Sequence, residues 1–251
     1  MPDITLDELR DLERAFRPLI GLKVSWLSIP GVALVGFEPS QIAVIVNTLL
    51  DAILPQIEHL ATDPTNAVKL RAIGLSKAPG VIGHREAYPD YVHVSGKRVE
   101  LKGLFVDNLN LKLKRPPTRR EPSARLKENV TMHDIHPQND ALLIAAAQLQ
   151  QDDQGQCSPY IIDVGVFSMV ECVRARDARL ERAGGRWVGR VPKVVKKASM
   201  QKFLAGGTLS GQDFEKDTNF GKLKRIPYVQ PSVFDMLAGE SPASARDGWA
   251  E

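Results

Sequence analysis

Asp90, Glu100 and Lys102 are the residues whose types and spacing best suit chemistry. Tyr91-Val92-His93-Val94 is β-branched and aromatic, and Ser95-Gly96 is a two-residue turn signal. Lys97 to Leu104 then alternates through Val99 and Leu101, so the stretch predicts a β-hairpin. Residues two apart on a strand share a face, which sends Glu100 and Lys102 one way and Val99, Leu101 and Gly103 the other. Asp90 lies near Glu100 across the hairpin. Oxygen ligands so placed suit a hard divalent cation such as Mg²⁺, which keeps waters and accepts one or two carboxylates plus phosphate oxygens. Lys102 would orient, or help deprotonate, a metal-bound water. The competing reading is a surface hairpin with a solvated Glu-Lys pair.

Several elements must hold this hairpin. Thr5-Leu6-Asp7-Glu8 matches a capping box for a short helix with Leu6, Leu9, Leu12 and Phe16 at helical spacing. Pro39-Ser40 opens a long helix, Ser40 being its expected cap, with Ile42, Ile45, Val46, Leu49, Ile53 and Ile57 on one stripe. Thr48, Asp51, Pro55 and Glu58 fall opposite, and Pro55 kinks the helix or begins another. Part of residues 71–84 is expected to form the first strand of a meander. Gln138-Asn139-Asp140 reads as the cap of a helix from Ala141 to Gln151, and Tyr160 to Phe167 as a strand. The order is helix, two or three strands, helix, strand.

A basic run follows the hairpin: Lys112, Lys114, Arg115, Arg119, Arg120, Arg125 and Lys127, broken by Pro116, Pro117 and Pro122. Prolines exclude a regular helix or central strand, so the run is expected to be a projecting arm suited to phosphate-backbone contact. His133 and His136 read as loop hydrogen-bonding or phosphate-contacting residues rather than a metal pair. A second basic surface spans Arg174 to Lys202, with Trp187 interleaved.

Composition narrows the classes. With 251 residues, 43% hydrophobic, the chain can bury a full core, and Lys+Arg 33 against Asp+Glu 30 leaves only +3. Cys157 and Cys172 have no CxxC spacing, which argues against a disulfide framework or structural zinc and fits a reducing cytoplasm. Met1 to Phe16 lacks the basic start and apolar core of a signal peptide, and no apolar run reaches membrane-spanning length.

Pro89-Asp90, nine residues and Glu100-Leu101-Lys102, set on a hairpin after a helix, resemble the PD-(D/E)xK nuclease superfamily over about 40–170. The resemblance implies an α/β (α+β) fold with a restriction-endonuclease-like αβββαβ core, its mixed central sheet flanked by helices. It implies Mg²⁺-dependent phosphodiester hydrolysis, with Asp90, Glu100 and the Leu101 carbonyl as metal ligands and Lys102 positioning the attacking water. Glu58 or Glu86 would be an additional acid. Lys112, Lys114, Arg115, Arg119 and Arg120 would contact DNA. Residues 1–39 would be edge elements, 40–173 the core with a basic arm at 112–127, and 174–251 a basic lobe with a frayed tail. Having room only for a core plus DNA-reading insertions, and no helicase motif, the chain is expected to be a type II restriction endonuclease. It would act as a cytoplasmic prokaryotic homodimer on double-stranded DNA, leaving 5′-phosphate ends. The rival expectations are a junction-resolvase-like nuclease of the same fold and a DNA-binding module that does not cut.

Overall fold

The computed structural model describes residues 3–23, 28–53, 73–79, 88–106, 108, 110–114, 126, 130–182, 185–188 and 191–214. Thr5 and Glu8 form the expected capping box of α1, Leu6–Phe16, whose Leu9, Leu12 and Phe16 are buried. After the short edge strand β1, Ile29–Pro30, comes α2, Pro39–Ile53. Ser40 does not cap it. The helix starts one residue earlier, at Pro39, where a missing N–H costs nothing, and the Gln41 side chain accepts the Glu38 N–H at 2.9 Å. Ile42, Val46 and Leu50 are its buried stripe.

Three antiparallel strands follow as a meander: β2, Leu75–Lys77, β3, Tyr91–His93, and β4, Arg98–Val106. The β3–β4 connection holds Val94, Ser95 and Gly96 rather than two residues. His93 N–H donates to the Lys97 carbonyl and Gly96 N–H to the His93 carbonyl, while Gly96 takes φ +82, the left-handed position that closes such a loop.

The expected helix over Ala141 to Gln151 is instead a strand, β5, Asp140–Gln151. Its Ala- and Leu-rich composition favours a helix, but an apolar run carries no period that separates a buried helix from a strand covered on both faces. Context decides, because β5 lies between β4, to which it is parallel, and β6, Gln156–Ser168, to which it is antiparallel. The Asp152 carboxylate accepts the N–H groups of Gln154 and Gln156, and Gly155 at φ +77 completes the hairpin. The expected strand at 160–167 therefore belongs to a longer one.

The strands form a mixed six-stranded sheet in the order β1-β6-β5-β4-β3-β2. Helix α3, Met169–Arg182, follows β6 directly and runs through the expected boundary at 173/174. Beyond it lie a hairpin of β7, Gly185–Val188, and β8, Val191–Val194, and the short α4, Met200–Leu204. Among the described residues no helix is long and apolar enough to cross a membrane. The architecture is thus mixed α/β. Its order is not αβββαβ, since β5 and β6 stand where one helix and one strand were expected.

Alternation gives the sheet two cores. Val99, Leu101, Phe105, Ala141, Leu143, Ala145 and Ala147 pack with Leu9, Leu12 and Phe16 of α1 and Ile42, Val46 and Leu50 of α2. Leu104, Val106, Leu142, Ile144 and Ala146 face the other way, onto Val170 and Val173 of α3 and onto Leu126, Val130 and Ile135. We expect Leu143→Ala, at a fully buried position of the central strand, to cost about 2–5 kcal/mol in chemical denaturation. A loss under about 1 kcal/mol would refute this central placement.

Candidate active site

The site occupies the α3 side of the sheet, where β3 and β4 separate. Tyr91 pairs with Val99 and Val92 with Arg98, so the same register sets Asp90 across from Glu100. Residues directly across an antiparallel ladder share a face, and Lys102 joins them two residues on. As expected, Val99 and Leu101 point into the opposite core. Gly103 also faces that side. A Cβ there would meet the Asn47 side chain of α2 at 2.0 Å, so the absent side chain lets the helix approach β4 closely.

Asp90 Oδ2 accepts the Leu101 N–H at 2.8 Å, pinning the acid to β4 although it precedes β3. Lys102 Nζ donates to Glu100 Oε1 at 2.5 Å and to the Leu101 carbonyl at 3.1 Å. Glu100 is only 4% exposed, which overturns the solvated Glu-Lys reading. Burial pushes its carboxyl up to about 7, and Lys102 opposes the shift through its charge while the Asp90 charge adds to it. Glu100 Oε2 is enclosed and meets no donor among the described residues.

That last feature tests whether the residues fit a metal. The near neighbour of Glu100 beyond Lys102 is Asp90, another acceptor, so a shared proton or a cation is what satisfies the pair. The donor set is hard oxygen throughout: two carboxylates and the Leu101 carbonyl, as Mg²⁺ prefers. Among the described residues no group of three or more His, Cys, Asp or Glu side chains is arranged around a metal position. Water and phosphate oxygens would have to complete the shell, which is ordinary for Mg²⁺.

Other expected residues are placed less centrally. Lys112 and Lys114 are exposed, but Leu111 and Leu113 between and before them pack into the core on the α2 side, and Lys114 Nζ lies 3.5 Å from Glu38. Arg115, Arg119, Arg120, Glu58 and Glu86 lie outside the described residues. His133 and His136 are exposed and act through their backbones, donating N–H to Thr131 Oγ1 and Asp140 Oδ2.

Sequence reasoning missed a polar cluster beside the site. Asp140, with no exposed surface, accepts from the Tyr88 hydroxyl at 2.5 Å and the His136 N–H at 2.9 Å, both on Oδ2. Arg98 Nε stands 3.1 Å from Oδ1 but off the line of a hydrogen bond, so that contact is one of charge. Burial raises the Asp140 carboxyl, and these three partners oppose the shift. Burial likewise raises the Tyr88 hydroxyl, helped by the Asp140 charge. The available signal was an acid opening an unbroken apolar run, which fits a strand entering a core as well as a helix cap.

No protein family, curated protein or solved structure matches this chain.

The Glu100 shift has a measurable consequence without metal. Between about 4.5 and about 7 the folded chain holds a proton that the unfolded chain releases, so stability present below that window is lost as pH rises through it. In EDTA we expect unfolding free energy to fall by on the order of 1–3 kcal/mol from pH 5 to pH 8. Glu100→Gln, which cannot ionise, should flatten that slope. An equal slope in both proteins would show that Glu100 is not its source.

Proposed function

We propose that this chain is a Mg²⁺-dependent nuclease of the PD-(D/E)xK type that cleaves double-stranded DNA. The observation that carries the reading is a buried Glu100 carboxylate, one oxygen lacking a donor among the described residues, set across a ladder from Asp90 with Lys102 on the same face. A solvated ion pair needs no such burial, and a binding surface needs no buried acid of raised proton affinity set across from a second carboxylate. The meander β2-β3-β4, with Asp90 just before its second strand and Glu100 on its third, also supports the reading, although β5 stands where the resemblance implies a helix.

When bound, a divalent cation supplies charge to the scissile phosphate and acidifies a coordinated water. Asp90, Glu100 and the Leu101 carbonyl would hold it, which requires Glu100 to give up its proton. Asp90 is kept in place by the Leu101 N–H. The Lys102 ammonium orients the attacking water and offsets the charge growing on the phosphate oxygens. Its bond to Glu100 fixes where that ammonium stands. Exposed Lys112 and Lys114, with the basic run beyond them, would neutralise backbone phosphates. Within this class we favour site-specific cleavage by a two-fold dimer, one active site for each strand.

Plasmid and phage DNA incubated with the protein in Mg²⁺ should give discrete fragments on a gel, and none in EDTA. Asp90→Asn keeps an acceptor for the Leu101 N–H but loses the charge, and Lys102→Ala removes the ammonium. Each should lower the cleavage rate by roughly 10²-fold or more. Cutting confined to branched substrates would replace site-specific cleavage with structure-selective cleavage. Tight, salt-sensitive binding with no cutting of either substrate would defeat the nuclease reading.

A further inference from the structure

Asp140 binds together three segments on this face of the sheet. In the β4–β5 register it sits beside Arg98, one inward-facing row from Glu100 and Leu142. Its Oδ2 holds the Tyr88 hydroxyl, two residues before Asp90, and the His136 N–H, in the segment that returns from the basic run to β5. Its Oδ1 faces Arg98, which lies with its guanidinium carbon 5.1 Å from the Tyr88 ring centroid and donates to the Asp134 carbonyl at 3.0 Å.

This arrangement reaches both acids of the site. Pro89 alone separates Tyr88 from Asp90, and its ring fixes its own φ while restricting the backbone of Tyr88. With the Tyr88 hydroxyl anchored at one end and Asp90 Oδ2 bonded to the Leu101 N–H at the other, little freedom is left to the Asp90 carboxylate. Arg98 precedes Glu100 by two residues on one strand, so its side chain lies over the same face. A fully buried carboxylate is expensive to retain, and removing its charge would leave Arg98 facing a neutral partner.

We propose that Asp140 is a positioning residue of the metal site, acting through Tyr88 on Asp90 and through Arg98 on Glu100. The inference rests on the nuclease reading above and adds that metal affinity is set partly by a residue that touches no metal. Asp140, Tyr88 and Arg98 are outer-shell partners whose loss loosens the carboxylate pair. A network that merely staples the fold would lower stability and leave the metal site as it was.

The test compares wild type, Tyr88→Phe, Asp140→Asn and Lys97→Met as full chains, by Mn²⁺ titration calorimetry, cleavage kinetics and thermal unfolding. Lys97, the residue before β4, is the control: its Nζ bonds Glu8 Oε1 at 2.7 Å and the Gln138 carbonyl at 2.8 Å rather than Tyr88, Arg98 or Asp140. Asp140→Asn and Tyr88→Phe should each bind Mn²⁺ about tenfold more weakly, the low end for outer-shell substitutions elsewhere. In both, kcat should fall while KM for DNA holds. Lys97→Met should lose thermal stability with its Mn²⁺ affinity unchanged. If Asp140→Asn does not fold, Tyr88→Phe decides, because it removes a single hydroxyl. Mn²⁺ affinity within twofold of wild type in the folded variants, whatever their thermal midpoints, would overturn the inference while leaving the nuclease reading standing. A wild-type chain that neither binds Mn²⁺ nor cuts DNA would overturn the nuclease reading, and this inference with it.

Discussion

A carboxylate enclosed on a sheet face with one oxygen undonated is the constraint to which the rest of this structure answers. Charge at Glu100 is opposed by desolvation and by Asp90, and favoured by Lys102. Partners for both oxygens would normally compensate such burial, and among the described residues Lys102 serves one oxygen only. That favours a proton on Glu100, and holding Asp90 against it needs rigid strands, because a small shift apart would relieve the repulsion.

Rigidity comes from how the sheet divides its two faces. On the α2 side every inward residue of β4 and β5 is apolar or glycine, and Gly103 leaves room for the Asn47 side chain of α2. On the α3 side β4 changes character along its length: Arg98, Glu100 and Lys102 come first, then Leu104 and Val106 under Leu126, Val130 and Ile135. One end of the strand carries the charged side chains while the other anchors it. The Lys97 ammonium ties the hairpin to α1 through Glu8, whose carboxyl that bond and the Thr5 cap hold down at about 2. The N-terminal helix is thereby fastened to the closing loop of the hairpin.

The hairpin and the shared face of Glu100 and Lys102 were legible because alternation over Val99 to Gly103 admits one reading once a turn is placed beside it. The capping box of α1 was legible for a similar reason, since Thr5 and Glu8 sit within one helical turn of each other. β5 was not legible. Ala145 to Ala147 have the smallest side chains compatible with packing on both faces, and the requirement that selects them is tertiary: helices or loops on each side of a central strand. Misplacing β5 also hid Asp140, whose role depends on lying in register with Arg98. The turn at Asp152 to Gly155 was the local clue to the hairpin, with an acid and a left-handed glycine at its ends.

Two buried acids on adjacent rows of one sheet face make an instructive contrast. Asp140 is wholly enclosed, with two hydrogen-bond donors on Oδ2 and the Arg98 guanidinium 3.1 Å from Oδ1, an oxygen that takes no hydrogen bond among the described residues. Glu100 is nearly as enclosed, has one ammonium and faces a second carboxylate. Both costs of burial are of the same kind, and what differs is the charge across the ladder, opposite for Asp140 and like for Glu100. A buried charge beside its opposite fixes geometry, whereas one beside a like charge invites a ligand of opposite sign. The rows differ in what lies across the ladder: β5 offers Asp140 to Arg98, a complementary pair, while β3 leads Asp90 to Glu100, a repelling one. The complementary pair supplies the stiffness on which the repelling pair depends.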